Sequence, residues 1–93
     1  MGDLFNKFVD RIKEAINEYG VCEIDICYGT SSVECRTCID VNDCYIYDNC
    51  VIYLCGKSMI TINPDETEIR YDENNDYYTI TSDGQEFEIS IYD

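Results

Sequence analysis

Ten carboxylates crowd the segment from Pro64 to Asp93: Asp65, Glu66, Glu68, Asp72, Glu73, Asp76, Asp83, Glu86, Glu88 and Asp93, against a single basic residue, Arg70. Carboxylates at close spacing can do three kinds of chemistry. A pair can work as general acid and base. A loop cluster can hold a hard cation. A lattice on an ordered surface can stand in for nucleic-acid phosphates against Lys and Arg. Here the acids are too many and too evenly spread to single out a catalytic pair, and a general acid with a raised pKa needs an apolar pocket. The sequence therefore points away from an enzyme. Asp72-Glu73-Asn74-Asn75-Asp76 resembles a calcium loop only in composition. Its sixth position is Tyr77 instead of Gly and its twelfth is Asp83 instead of Glu. No phosphate loop, nucleophile elbow or nucleotide fingerprint occurs.

The third chemistry fits the pattern. The same stretch alternates apolar and polar residues, with Thr67, Ile69 and Tyr71 against Glu66, Glu68 and Arg70, and Phe87, Ile89 and Ile91 against Glu86, Glu88 and Ser90. Residues i and i+2 of a strand share a face about 6.6–6.8 Å apart, and neighbouring strands lie about 4.8 Å away. Phosphates along one strand of a duplex advance about 3.4 Å per nucleotide, so such carboxylates match roughly every second phosphate. The expected partner-binding residues are Glu66, Glu68, Asp72, Glu73, Asp76, Asp83, Glu86 and Glu88, with Tyr77 and Tyr92 beside them. Nine tyrosines and no tryptophan add to this picture. Tyr45, Tyr47, Tyr53, Tyr77 and Tyr92 fall opposite their strands' apolar sets. Tyrosine is common at binding hot spots but also favours strands for their own sake.

Net charge supports an interface and limits its partners. A value of −14 on 93 residues is extreme for a chain that is 45% hydrophobic. Self-repulsion on that scale costs stability, so selection for something besides folding is expected. The six Lys and Arg are scattered, three of them (Lys7, Arg11, Lys13) among Asp10, Glu14 and Glu18. Direct nucleic-acid binding and an anionic membrane are both disfavoured. The segment Met-Gly-Asp-Leu-Phe-Asn lacks a signal-peptide pattern, and no apolar run approaches a bilayer span. A reducing cytoplasm is the expected compartment.

Seven cysteines lie between residues 22 and 55: Cys22, Cys27, Cys35, Cys38, Cys44, Cys50 and Cys55. The odd number argues against a disulfide scaffold. Only Cys35-Arg36-Thr37-Cys38 gives a C-x-x-C. A zinc site would have to draw on Cys35, Cys38, Cys44 and Cys50, whose wider spacings do not suit a knuckle, and the chain has no histidine to complete one. The absence of a partner base also disfavours a nucleophilic thiol. The simpler expectation is that the cysteines are small buried hydrophobes, with Cys22 beside Ile24 and Ile26, Cys35 beside Val33 and Ile39, and Cys50 beside Ile52 and Leu54. No cofactor is expected.

The elements that must position these residues are readable from period. From Asp3 to Tyr19, Leu4, Phe5, Phe8, Val9, Ile12, Ala15, Ile16 and Tyr19 form one helical stripe, with Asp3 as N-cap and Gly20 past the end. From Val21 the period becomes two. The segments from which the strands are expected are Cys22–Tyr28, Val33–Ile39, Cys44–Tyr47, Cys50–Cys55 (apolar on both faces, hence central), Met59–Asn63, Glu66–Asp72, Tyr77–Thr81 and Glu86–Tyr92. The expected turns lie at 29–32, Asn42-Asp43, 56–58, Pro64-Asp65, 72–76 and 82–85, and Asp48-Asn49 reads as a turn or a bulge. Short connections predict pairing in sequence order as an antiparallel meander. The fold class is thus α+β, a single domain over residues 1–93. Its N-terminal amphipathic helix packs on a meander sheet of about five to seven strands, strongly curved or part-way to a barrel.

In size, charge and pattern the whole chain resembles the small acidic inhibitors made by phages and mobile elements, the anti-CRISPR and anti-restriction proteins. The resemblance is carried by the acidic strands Glu66 to Asp72 and Glu86 to Asp93, the Asp72 to Asp76 loop, and a composition rich in Tyr, Ile and Asn. The cysteine content departs from it. The resemblance implies stoichiometric, non-catalytic blockage of a CRISPR effector nuclease in the host-cell cytoplasm, where the effector reads nucleic acid. Two other classes stay open: an immunity protein neutralising a basic nuclease toxin, and a small cysteine-rich zinc-binding or redox module. The chain is expected to be a monomer or a homodimer paired through a sheet edge.

Overall fold

The computed structural model describes residues 2–48 and 50–92. Asp93 and the Asn49 half of the expected Asp48-Asn49 turn lie outside them. Helix α1 runs from Asp3 to Tyr19, as the apolar stripe predicts. Gly2, not Asp3, is the capping residue, and no side chain caps this end. At the other end Gly20 adopts φ 80°, and its N–H donates to the Ile16 carbonyl at 2.7 Å. A Cβ is disfavoured at that dihedral, which is why glycine stands there.

Seven strands follow: β1 (Cys22–Gly29), β2 (Glu34–Tyr47), β3 (Val51–Gly56), β4 (Met59–Ile62), β5 (Glu68–Asp72), β6 (Tyr77–Ser82) and β7 (Gln85–Tyr92). They form one antiparallel sheet in the order β4-β3-β2-β1-β7-β6-β5. The sequence-order meander holds within β1–β4 and within β5–β7. Between them it fails, because β7 returns to pair with β1, Ile24 facing Ile91 and Ile26 facing Ile89. The central strand is therefore β1, not the Cys50–Cys55 run. That run is apolar on both faces because its second face carries a tyrosine cluster.

Two expected boundaries shift. Asn42-Asp43 is not a turn. The residues expected to form two strands make one 14-residue strand, with a bulge between Val41 and Asp43. The bulge shifts the alternation, so that Ile39 and Val41 share a face with Cys44 and Ile46. Gly56 lies opposite it, where a Cβ would collide with the Asp40 carbonyl. The strand expected from Glu66 starts instead at Glu68. Residues Pro64–Glu66 form a 3₁₀ turn, with the Asn63 side chain accepting from the Asp65 N–H at 3.1 Å. Asp48, at φ 54°, lies in a turn closed by the Cys50 N–H donating to the Tyr47 carbonyl at 3.1 Å.

The short β4–β5 link forces curvature. Laid flat, the edge strands of a seven-stranded sheet stand about 29 Å apart. Six residue steps from Ile62 to Glu68 reach at most about 20 Å. The sheet must curl until its edges approach, without closing into a barrel. Helix α1 packs across β1, β2 and β5 inside this curl. Phe8, Val9 and Ile12 bury against Cys22, Ile24, Val41, Ile52 and Leu54, and Phe8 meets Tyr78 edge-on at 5.1 Å. Burying such side chains stabilises by roughly 1.5–3 kcal/mol each. No helix among the described residues is long and apolar enough to cross a membrane.

A 17-residue helix is about 26 Å long, whereas fourteen strand residues extend about 46 Å. The helix therefore covers only part of the inner face. Val33, Cys35 and Thr37, expected to be inward and buried, lie past its cover and are exposed.

Candidate functional site: an acidic sheet face

The register places the carboxylates. Across β5, β6, β7, β1 and β2, one outer row reads Arg70, Thr79, Glu88, Cys27 and Arg36. The next row toward the hairpin tips reads Glu68, Thr81 and Glu86, with Glu34 on β2 continuing the band. On the other side of the Glu88 row, Asp25 sits between Ser90 and Cys38, and Glu23 between Tyr92 and Asp40. Glu86 and Glu88 are the centre. Both line a depression with Cys27 and Glu34, and both line another with Arg70, Asp72, Tyr77 and Thr79.

Glu23, Asp25, Glu34 and Asp40 were not among the expected binding residues. Their outward direction is readable from alternation. Their nearness to Glu86 and Glu88 depends on the β1–β7 pairing, which local pattern does not encode. Two arginines lie within this face. Arg70 bonds Glu86 at 3.0 Å, reaching across β6, with both side chains well exposed. Such a pair contributes little to stability but fixes the direction of Glu86.

The expected residues separate into two groups. Glu68, Glu86 and Glu88 lie on the outer face, and Tyr77 and Tyr92 point the same way. The Tyr92 hydroxyl donates to Asp25 at 2.8 Å, which helps hold that carboxyl below its ordinary value. Asp83 is exposed at the β6–β7 turn, where Asp83 (φ 52°) and Gly84 (φ 77°) form the two-residue loop of a primed turn. Glu73 is exposed in the β5–β6 loop.

The other three do different work. Asp76 receives two bonds from Arg11 of α1, at 2.7 and 3.0 Å, and one from the Tyr71 hydroxyl at 2.8 Å. These hold its carboxyl down at about 2, with Arg11 the main cause. Asp76 staples the helix to the β5–β6 loop. Asp72 accepts from the backbone N–H groups of Asn74 and Asn75 and from the Asn75 side chain, so it folds that loop. Glu66 sits in the 3₁₀ turn and not in a strand, at the rim of an inner cavity and beside the Glu68 end of the lattice. Sequence alternation could not separate a surface carboxylate from one recruited by a turn or a helix.

The zinc candidates are not brought together. Cys35 and Cys38 are on opposite faces of β2, Cys44 is buried, and Cys50 lies in the β2–β3 turn with its thiol toward the Tyr47 carbonyl. Burial of free cysteine as a small hydrophobe holds for Cys22 and Cys44 only. Cys27 donates to Glu34 at 2.8 Å and Cys38 to Glu23 at 3.4 Å. Hydrogen bonding to Asp25, with further contributions from burial and Glu23, pushes the Cys38 thiol up to about 12. Glu23, Asp25 and Cys38 bring their ligand atoms within 4.8 Å of one another.

Past the bulge in β2 the outer face changes character. Tyr45 stacks on Tyr53 at 5.1 Å, Tyr47 meets Tyr53 edge-on at 6.5 Å, and exposed Met59 lies on the adjacent edge strand. Comparison with protein-family models, with curated proteins and with solved structures found no match.

Proposed function

We propose that this protein is a non-catalytic acidic inhibitor that occupies the basic nucleic-acid-binding surface of a nuclease, in the manner of a phage anti-CRISPR protein acting on a CRISPR effector. The observation that supports this reading is the outer carboxylate lattice. Glu68, Glu86, Glu88, Glu23, Asp25, Glu34 and Asp40 share one sheet face with Arg36 and Arg70. Rigid strands hold these acids near the spacing of alternate phosphates, so little order has to be created on binding. A groove lined with Lys and Arg would meet carboxylates where it normally meets phosphates.

An immunity protein acting on a basic nuclease toxin would use the same face, and the identity of the captured nuclease separates the two. The zinc or redox module has less support, because the four candidate cysteines do not converge.

The test is capture on the tagged protein from candidate host lysate at low and high salt, followed by a cleavage assay with the purified captured nuclease. The expected result is salt-sensitive capture, stoichiometric inhibition, and displacement by the nuclease's own nucleic acid. Capture that ignores salt and leaves cleavage intact would remove the acidic face from the mechanism.

A further inference from the structure

Inside the curl, beyond the helix, lies a cavity of about 360 Å³. Its wall is largely apolar, with Ile26 of β1, Ile60 of β4, Ile80 of β6, and Phe87 and Ile89 of β7, while Thr61, Asn63, Thr67 and Ser82 add polar groups. Strands β4 and β6 stand at nearly opposite ends of the strand order, so this space exists only because the sheet curls. Its size lies within the range typical of ligand pockets. Part of the rim is the 3₁₀ crossover, fixed by Asn63, whose carbonyl accepts from the Thr67 hydroxyl at 3.0 Å and whose side chain accepts from the Asp65 N–H.

The rim is acidic. Glu66 borders the cavity and also a neighbouring depression lined by Asp65, Glu68, Thr81 and Asp83. The ion pairs among the described residues join Arg11 to Asp76 and Arg70 to Glu86, and neither involves these rim acids. An apolar wall beneath unneutralised carboxylates favours an occupant that is apolar at one end and cationic at the other. A purely apolar ligand would leave the rim charge unmet, and a fatty acid would be repelled by it.

We infer that this open end of the curl is a second binding site, which takes a peptide segment of a partner protein with a leucine or aromatic side chain next to arginine or lysine. The apolar side chain enters among Ile26, Ile60, Ile80 and Phe87. The adjacent cation meets Glu66, with Asp65 and Asp83 near it. The site lies on the inner side of the sheet and does not depend on the outer lattice having a partner.

The test is titration of protein labelled at its isoleucine methyls and backbone amides with N-acetyl-Leu-Arg-Arg amide, read by NMR. The expected result is saturable shifts concentrated at Ile26, Ile60, Ile80 and Ile89, with a dissociation constant of about 1 mM or tighter. Neutralising the rim (Asp65→Asn, Glu66→Gln and Asp83→Asn together) should weaken binding about tenfold. Ser82→Trp, at the end of β6, should fill the cavity and abolish the shifts. Each variant's melting temperature is measured alongside to confirm a folded protein. Should Ser82→Trp unfold the chain, the rim variant, altered only at the surface, decides alone.

Several results would overturn the inference. One is a lack of methyl shifts at saturating peptide. Another is equal binding of N-acetyl-Leu-Glu-Glu amide. Shifts confined to the outer-face amides of Glu86 and Glu88 would do the same. Hexylamine binding as well as the peptide would mean a free amine site, and methyl shifts that change on protein dilution alone would mean that a second copy fills the cavity.

Discussion

On the outer face, Tyr45, Tyr47 and Tyr53 lean on one another, whereas Glu23, Glu86 and Glu88, on the strands beyond, are separated mainly by threonine, cysteine and serine. The tyrosine half satisfies itself within the chain. In the acidic half, Glu86 is the one acid paired with a cation among the described residues, and the remaining like charges repel. Bonding within the chain thus separates the acids of the fold from those of the surface. Asp72 and Asp76 have internal donors and serve the fold. Glu68, Glu88 and Glu23 have no cation bonded to them among the described residues and present their charge outward.

That contrast can be broken most directly by charge reversal. Glu23→Lys, Glu68→Lys, Glu86→Lys and Glu88→Lys together should lower affinity for the captured nuclease at least about 100-fold. The melting temperature should hold or rise, because self-repulsion falls. Calorimetric titration and thermal melts read the two effects separately, and retained affinity would move the interface elsewhere.

A smaller effect is expected from the tyrosine half. Tyr45→Ser with Tyr53→Ser should cost about 1 kcal/mol of stability through the lost ring pair, with nuclease affinity changed less than about threefold. A larger loss of affinity would make the tyrosines part of the interface and erase the distinction.

The stapled acids give an effect of similar or smaller size, visible in acid. Asp76 has a folded pKa of about 2 against an ordinary 3.8. A depressed carboxylate stabilises fully above its unfolded value, and that contribution is lost as pH falls from about 3.8 through about 2. Denaturant melts should therefore show Asp76→Asn less stable than wild type at pH 6, by on the order of 1 kcal/mol, with the gap closing toward pH 2. A gap that persists in acid would assign the effect to packing.

The smallest change concerns rate alone. Cys38 is exposed, yet its thiol titrates at about 12. Iodoacetamide at pH 8 should label it more slowly than a cysteine in an unstructured peptide, as followed by mass-spectrometric peptide mapping. Glu23→Gln with Asp25→Asn should speed it up. Fast labelling in the wild type would revive the redox reading.

Much of the fold was legible because burial imposes a period. The stripe from Leu4 to Tyr19 gave the helix its bounds, and alternation gave the facing of nearly every strand. Phase gave less. The slip between Val41 and Cys44 is visible in the sequence, but a turn and a bulge leave the same trace there. Pairing was the least legible. Nothing local to Gln85–Tyr92 says that it returns to Cys22–Gly29, so the acids of β1 could be assigned a direction but not their neighbours. Glu66 was misplaced for a local reason: Asn63 and Pro64 start a 3₁₀ turn that delays the strand by two residues.

The return of β7 to β1 also sets a timetable. On a chain made from its N-terminus, β1 can pair with β2 early, but its other edge stays open until residues 85–92 have been synthesised. Contacts of such long sequence separation form slowly, and an open strand edge invites pairing with other chains. Glu23 and Asp25 sit on that waiting strand, where like charge disfavours pairing with a second nascent copy. The same charge that the finished protein presents to a partner would thus guard the half-made sheet against its siblings on the polysome.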